Sequence, residues 1–344
     1  MDLKRVTWLV AIVAAIGFSV QRPGATFLLI PPTARASGMA YAFTAFADDA
    51  SANYYNAAGL AFLKTPSITA TYFHYLPGLD PDMHYLYFGS AYPLGRQSWG
   101  FDVIYFTPGT TQLIDPYGNN LGQYIVWRIA PKISYARKLT ERLSCSIGWK
   151  FIYLKYGLDI WIDTWGNSSL YDGSGSSWAV DLNVLYRVFK NLSLGAVLHN
   201  LGPWIAPPEN WYWGWWPQES SPLPLISRLG IAYKPITGEQ LDLTVSADIT
   251  DEVVNFFAYI DTSFYEELKH EIKMMNTGIG IEIVLYRLLS FRLGYLDALE
   301  GSDERGITFG AGIRFKGLAF DFGSDEKIFD FHTRNRKFSL SYNF

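Results

Sequence analysis

The chain has 344 residues, with 28 Lys and Arg against 32 Asp and Glu and a formal net charge of −4, so it offers no basic field to nucleic acid. Charged residues make up only 17% and aromatic residues another 17%, the first figure well under the roughly 25% usual for soluble domains. The single cysteine, Cys145, excludes an intramolecular disulfide framework, a CxxC redox pair and Cys-rich metal sites.

Lys4 and Arg5 precede the apolar run Val6 to Val20. The run is too short to cross a bilayer comfortably, and it has the charged and apolar regions of a secretory signal. We expect a signal over residues 1–25, cut near 19–26, and an exported mature chain. A single membrane anchor is the competing reading, because the small-x-small triplet Ala34-Arg35-Ala36 lies far downstream.

From residue 67 to 344 the dominant signal is a period of two. In 306–315, Ile307, Phe309, Ala311, Ile313 and Phe315 oppose Thr308, Gly310, Gly312 and Arg314. Segments 178–187 and 241–250 alternate in the same way. About fourteen such runs are expected, of lengths typical of strands that cross a membrane at a tilt. Every second connector is a tight turn, near Arg96, Glu141-Arg142, Lys190, Gly238, Arg287 and Lys316-Gly317. The others, including 107–122, 157–176, 201–223, 251–275, 298–305 and 324–335, are read as longer loops.

Short turns on one side and long loops on the other are the mark of a transmembrane antiparallel β-barrel. Lipid cannot hydrogen-bond a backbone, so a β structure there must close on itself. An exported sandwich or propeller is the competing fold. The final strand ends in Tyr342 and Phe344, resembling the signal that the barrel-assembly machinery reads.

The segment 34–62, ARASGMAYAFTAFADDASANYYNAAGLAFL, is rich in Ala, Gly and Asn and stands apart from the strands. It resembles the N-terminal signature of the PorV/PorQ family of FadL-like outer-membrane proteins. The matching residues are Ala34, Arg35, Ala36, Gly38, Met39, Ala42, Phe43, Ala45, Ala47 to Ala50, Tyr55, Asn56 and Ala58 to Ala61. Ala57 stands where the family usually has Pro, and Tyr41 where it has a small Gly. The run 306–323 also resembles the family's closing strands.

The resemblance implies a bacterial outer-membrane barrel of fourteen strands over 67–344, with residues 26–66 folded back as a plug or hatch in the lumen. Arg35, Gly38, Asp48, Asp49, Asn53, Asn56, Gly59 and Leu60 form the plug motif. The inward-phase ionisable residues are Lys150, Asp181, Asp242, Asp248, Glu282, Arg292, Arg314 and Asp321. They read either as a permeation lining or as a salt-bridged lumen that holds the plug, because a charge facing lipid at mid-bilayer costs roughly 2–4 kcal/mol.

Trp204, Trp211, Trp213, Trp215 and Trp216 crowd the loop 201–223, as a partner surface or an interfacial anchor. Residues 263–275 have helical apolar spacing. The five histidines form no metal-ligand spacing, and no nucleophile elbow or phosphate loop is present. His199 near serines is the one trace of a lipase.

Two functions remain open. A PorV-like, non-enzymatic component of type IX secretion would receive secreted proteins at the cell surface, with the secretion translocon, secreted cargo and outer-membrane lipid as partners and no cofactor. A FadL-like channel would take up small hydrophobic molecules.

Overall fold

The computed structural model describes residues 24–80, 82–114, 118–162, 168–205, 212–213, 216–217, 220–252, 275–298, 305–325 and 333–344. The alternating segments are strands: β1 (Ser67–His74), β2 (His84–Leu94), β3 (Gln97–Ile114), β4 (Asn120–Lys138), β5 (Leu143–Ile162), β6 (Ser168–Phe189) and β7 (Leu192–Leu201). A two-residue pair, β8 (Tyr212–Trp213) and β9 (Trp216–Pro217), interrupts the series. It resumes with β10 (Ile226–Ile236), β11 (Leu241–Glu252), β12 (Asn276–Leu285), β13 (Leu289–Ala298), β14 (Arg305–Phe315), β15 (Leu318–Asp325) and β16 (Asn335–Asn343).

All of these except β8 and β9 form one closed antiparallel barrel of fourteen strands. The last strand returns to the first: β16 pairs β1 from Ser67↔Asn343 to Tyr72↔Phe338. No strand edge is left over, which satisfies the backbone without water. An even count also brings Ser67 and Asn343 to the same end as the short turns. The turn between β14 and β15 places Lys316 and Gly317 at φ 48° and 83°, the doubly left-handed geometry whose twist suits a two-residue hairpin.

The alternation has the phase of a barrel turned outward. Leu229 is 64% exposed while its neighbour Arg228 is 7% exposed, so the apolar side chains are outside and the polar ones inside. Aromatic rings line the outer face at two heights of β3. Trp99 packs on Tyr135 at 5.0 Å, and further along Tyr105 and Tyr153 flank Trp127 at 6.4 and 5.2 Å. Such a surface is stable only against hydrocarbon bordered by interfacial girdles.

Two stretches expected as loops are largely strand. β3 and β4 extend through most of 107–122, and β5 and β6 through most of 157–176. Bulges explain the difference: the register slips between Phe106 and Gly109 and between Lys155 and Gly157. Each slip shifts the period-two phase, so the pattern stops although the pairing continues.

Residues Gly24 to Phe62 form short helical turns: Thr26–Leu29, α1 (Ala34–Ser37), α2 (Ala52–Tyr55) and Ala57–Phe62. They touch the inner faces of strands all round the ring. The Ala34 amide donates to Ser339 on β16, Asn53 to the Ser90 carbonyl on β2, and Asn56 to the Val184 carbonyl on β6. Ser144 on β5 and Ser246 on β11 donate to the Ala58 and Ala42 carbonyls. A short segment with partners on opposite walls of a closed cylinder lies inside it.

Candidate functional site: the filled lumen and the long-loop mouth

Inward-facing glycines let the segment approach the wall. A Cβ on Gly280 would stand 2.5 Å from the Met39 carbonyl oxygen, and one on Gly323 would stand 2.1 Å from that of Ala34. Within the segment, Gly38 rests on Gly310 and Arg292, a Cβ on Gly59 would meet the Ala47 carbonyl, and Leu60 is buried among alanines.

Three polar clusters fix this packing. The first centres on Arg35, whose Nη1 contacts Asp48 at 2.7 Å and Asp49 at 2.6 Å and whose Nη2 contacts Glu282 at 2.8 Å. Arg292 joins Glu282 at 2.7 Å and Asp321 at 2.8 Å, Lys234 reaches Asp48 at 3.2 Å, and Arg314 lies 3.8 Å from Glu282. Four cations thus meet four carboxylates. Burial would raise the Asp48 carboxyl, but Arg35 and then Lys234 outweigh it and hold the group below its ordinary value.

In the second cluster, Asp181 lies 3.1 Å from Lys132 and 3.3 Å from Lys150. Lys132 also donates to the Asn53 carbonyl at 2.5 Å, and the Asn200 amide donates to Asp181 at 2.9 Å. In the third, Lys337 donates to the Pro31 carbonyl at 2.7 Å, while Tyr41 donates to Asp325. Ala40 and Tyr41 lie at φ 50° and 62°, left-handed backbone that favours glycine. The bulky Tyr41 is held there through its hydroxyl.

Asp248 accepts the Phe43 and Thr44 amides at 2.9 and 2.8 Å. Asp242 instead accepts the Gly238 amide at 2.9 Å, so it serves a short turn. Sequence reasoning missed Lys132, Asp102, Lys234, Asp325 and Lys337. Their inward phase was a usable signal for Lys132, which lies between the outward Pro131 and Ile133, whereas Lys337 lies between the exposed Arg336 and Phe338. His199 is buried and bonds Asn183 at 2.6 Å, a polar lumen contact rather than a Ser–His pair.

Towards the long-loop end a cavity of about 470 Å³ is floored by Phe27, Ile30 and Tyr55 and flanked by Arg128, Arg228 and Lys337. Of the tryptophan loop, Trp204 is exposed and Ile205 pairs with Ser221. Trp213 pairs with Trp216 through the backbone, while Trp211, Trp215 and the helical spacing over 263–274 lie outside the described residues. At the C-terminus, Tyr342 and Phe344 are exposed with rings 4.8 Å apart, and the Phe344 amide bonds the Pro66 carbonyl at 3.0 Å.

The profile of a protein family described as type IX secretion system protein PorV matches residues 19–255, well over half of the chain. The chain belongs to the PorV family. No curated protein matches it in sequence. Its barrel is similar to that of the Pseudomonas putida toluene transporter TodX, at 11% identity and a TM-score of 0.54, covering 86% of this chain and 94% of that one. It is also similar to a Pseudomonas aeruginosa FadL homologue, at 12% identity and a TM-score of 0.53, covering 92% and 98%. The monoaromatic hydrocarbon channel CymD gives 11% identity and a TM-score of 0.55, again covering 92% and 98%. At such identities the likeness is one of fold: this PorV-family chain is a FadL-like membrane barrel.

Proposed function

We propose that this PorV-family barrel is a non-enzymatic component of type IX protein secretion in the bacterial outer membrane, crossing the bilayer with its fourteen strands. Its external loops receive secreted proteins from the translocon and present them for release or surface attachment. In this reading a signal is cleaved near residues 19–26, the segment that follows to residue 66 is the plug, and the terminal Tyr342 and Phe344 address the chain to the assembly machinery.

Family membership over residues 19–255 carries the proposal. The filled lumen supports it, because a segment tied to opposite walls leaves the long-loop face as the surface open to a folded cargo. The exposed Trp204 is the kind of amphipathic ring that partner surfaces use.

Passage of small hydrophobic molecules is the second reading, and the cavity above Phe27 and Tyr55 favours it. Arg128, Arg228 and Lys337, together with Asp248 and Asp325, line that cavity, and this charge argues against a purely hydrocarbon ligand. Affinity capture from detergent-solubilised outer membrane separates the two. Recovery of translocon subunits and secreted C-terminal domains is expected, and their absence overturns the secretion reading.

A further inference from the structure

At the short-turn end of the barrel the outward columns finish in cations. On β4, Ile133 and Tyr135 lead to the exposed Arg137; on β12, Ile281 and Ile283 lead past Tyr286 to Arg287; on β14, Ile313 and Phe315 lead to Lys316. Arg96, Arg142 and Lys190 occupy three further turns, near the exposed Leu94, Leu139 and Phe189. The Lys316 ammonium lies 5.3 Å from the centre of the Phe315 ring, so the aromatic level and the cationic level adjoin.

These six cations share the rim with three carboxylates. Glu141 lies 3.7 Å from Arg96 with both side chains largely exposed, a pair that contributes little. Asp242 accepts the Gly238 amide, and Glu239 stands in the same turn between β10 and β11. Among the described residues, Arg137, Lys190, Arg287 and Lys316 form no ion pair. The chain as a whole is net negative, at −4, so this excess of cations is local.

Height decides what meets them. The connectors at this end are two to four residues long, so at about 3.3 Å per residue their tips rise little beyond the last paired residues. The polar layer of one leaflet is about 5–7 Å deep. Groups just past the outward rings of Tyr135, Tyr286 and Phe315 therefore lie at the level of lipid phosphates. A partner in the aqueous space beyond would need a projecting surface, and these turns do not project.

Ammonium and guanidinium groups bind phosphate through charge-assisted hydrogen bonds. A zwitterionic headgroup supplies its own ammonium and leaves the excess at the rim unmatched, whereas a net-anionic headgroup matches it.

We propose that the short-turn rim is a binding surface for net-anionic phospholipids of the leaflet on that side. Their phosphates sit against Arg137, Lys190, Arg287 and Lys316, and their acyl chains lie along the apolar columns that end there. The rim then fixes the depth of the barrel in the bilayer. This surface goes beyond the secretion role and does not depend on it; it rests on the barrel crossing a bilayer.

The test is native mass spectrometry of the full-length barrel in neutral detergent, titrated with an equal mixture of phosphatidylglycerol and phosphatidylcholine of the same acyl chains. Glycerol phosphate, the headgroup without its chains, is a separate arm. Wild type should retain phosphatidylglycerol over phosphatidylcholine by about tenfold or more, since each cation near an anionic surface is worth about fivefold. The variant Arg137→Gln, Lys190→Gln, Arg287→Gln, Lys316→Gln should lower that preference about fivefold or more. Arg305→Gln, at the long-loop end, should keep it.

Equal retention of the two lipids by wild type overturns the proposal. So does an unchanged preference in the fourfold variant while it keeps the heat-modifiable shift of a closed barrel. Should that variant fail to close, Arg287→Gln and Lys316→Gln replace it singly, each expected to lower the preference about twofold or more, and no change in either overturns the proposal. Glycerol phosphate bound as tightly as phosphatidylglycerol shows an anion site that needs no bilayer, which also overturns it. Failure to capture any secretion component, with the lipid preference intact, overturns only the secretion reading.

Discussion

Arg35 grips Glu282 through two parallel bonds, Nε to Oε1 at 2.9 Å and Nη2 to Oε2 at 2.8 Å. The two residues are 247 positions apart in the chain, so this fork ties the N-terminal segment to the wall of β12. Such paired geometry gives orientation as well as energy. Removing Arg35 leaves Glu282 to Arg292 and Asp48 to Lys234, but it takes the cation from Asp49 and unbalances a buried network. Arg35→Met should therefore weaken the docking of residues 24–62 by about 1–3 kcal/mol. Limited proteolysis checks this: cleavage within the segment should rise while the barrel keeps its heat-modifiable shift, and unchanged protection would contradict the role of the fork.

Acid should loosen the same latch. Asp48 is held below the ordinary carboxylate value, with Arg35 and Lys234 outweighing burial. A group with a lowered folded value stabilises the docked state above the unfolded value, about 4, and loses that contribution as pH falls through the folded value. Protection of the segment should hold from neutral pH down to about that value and decline below it. Asp48→Asn should flatten the decline, as followed by protease sensitivity against pH.

Gly280 gives a steric test. A side chain there meets the Met39 carbonyl at 2.5 Å and the Met39 Cβ at 2.6 Å, both belonging to the packed segment. Gly280→Val should lower thermal stability by about 1–3 kcal/mol through overpacking and make residues 34–45 accessible to protease. Gly95→Ala, in a short turn with open space around it and φ 66°, should cost about 1 kcal/mol or slightly more and leave the segment protected.

Removing the ring of the exposed Trp204 should leave the barrel's unfolding temperature unchanged and reduce capture of secreted C-terminal domains about tenfold or more, as expected for loss of an interface anchor. Quantitative affinity capture reads the effect. Undiminished capture would move the receiving surface elsewhere on the loops.

Much of the wall was legible in the sequence because lipid imposes one rule on every strand, and β14 shows it from Ile307 to Phe315. The rule stops being legible where a bulge resets the phase, which is why the upper halves of β3 to β6 read as loops. The N-terminal segment stood apart from the strands only through the motif around Asp48-Asp49, since periodicity says nothing about short helical turns. Its partners were less legible still. The Arg35–Glu282, Lys337–Pro31 and Lys132–Asn53 contacts join residues far apart in the chain, and only the closed ring brings them together. Tyr41 shows the limit most clearly: it looks like a misfit in a small-residue motif until Asp325 is seen accepting its hydroxyl.

The central claim is that cargo meets this barrel at its long-loop face and not through its lumen. Site-specific photocrosslinking in cells, with the probe placed at Trp204 on the loop or at Phe106 on the cavity wall, tests it most directly. Adducts with secreted C-terminal domains from position 204 and none from position 106 are the predicted result. Cargo adducts from the cavity position, or none from the loop, would contradict it.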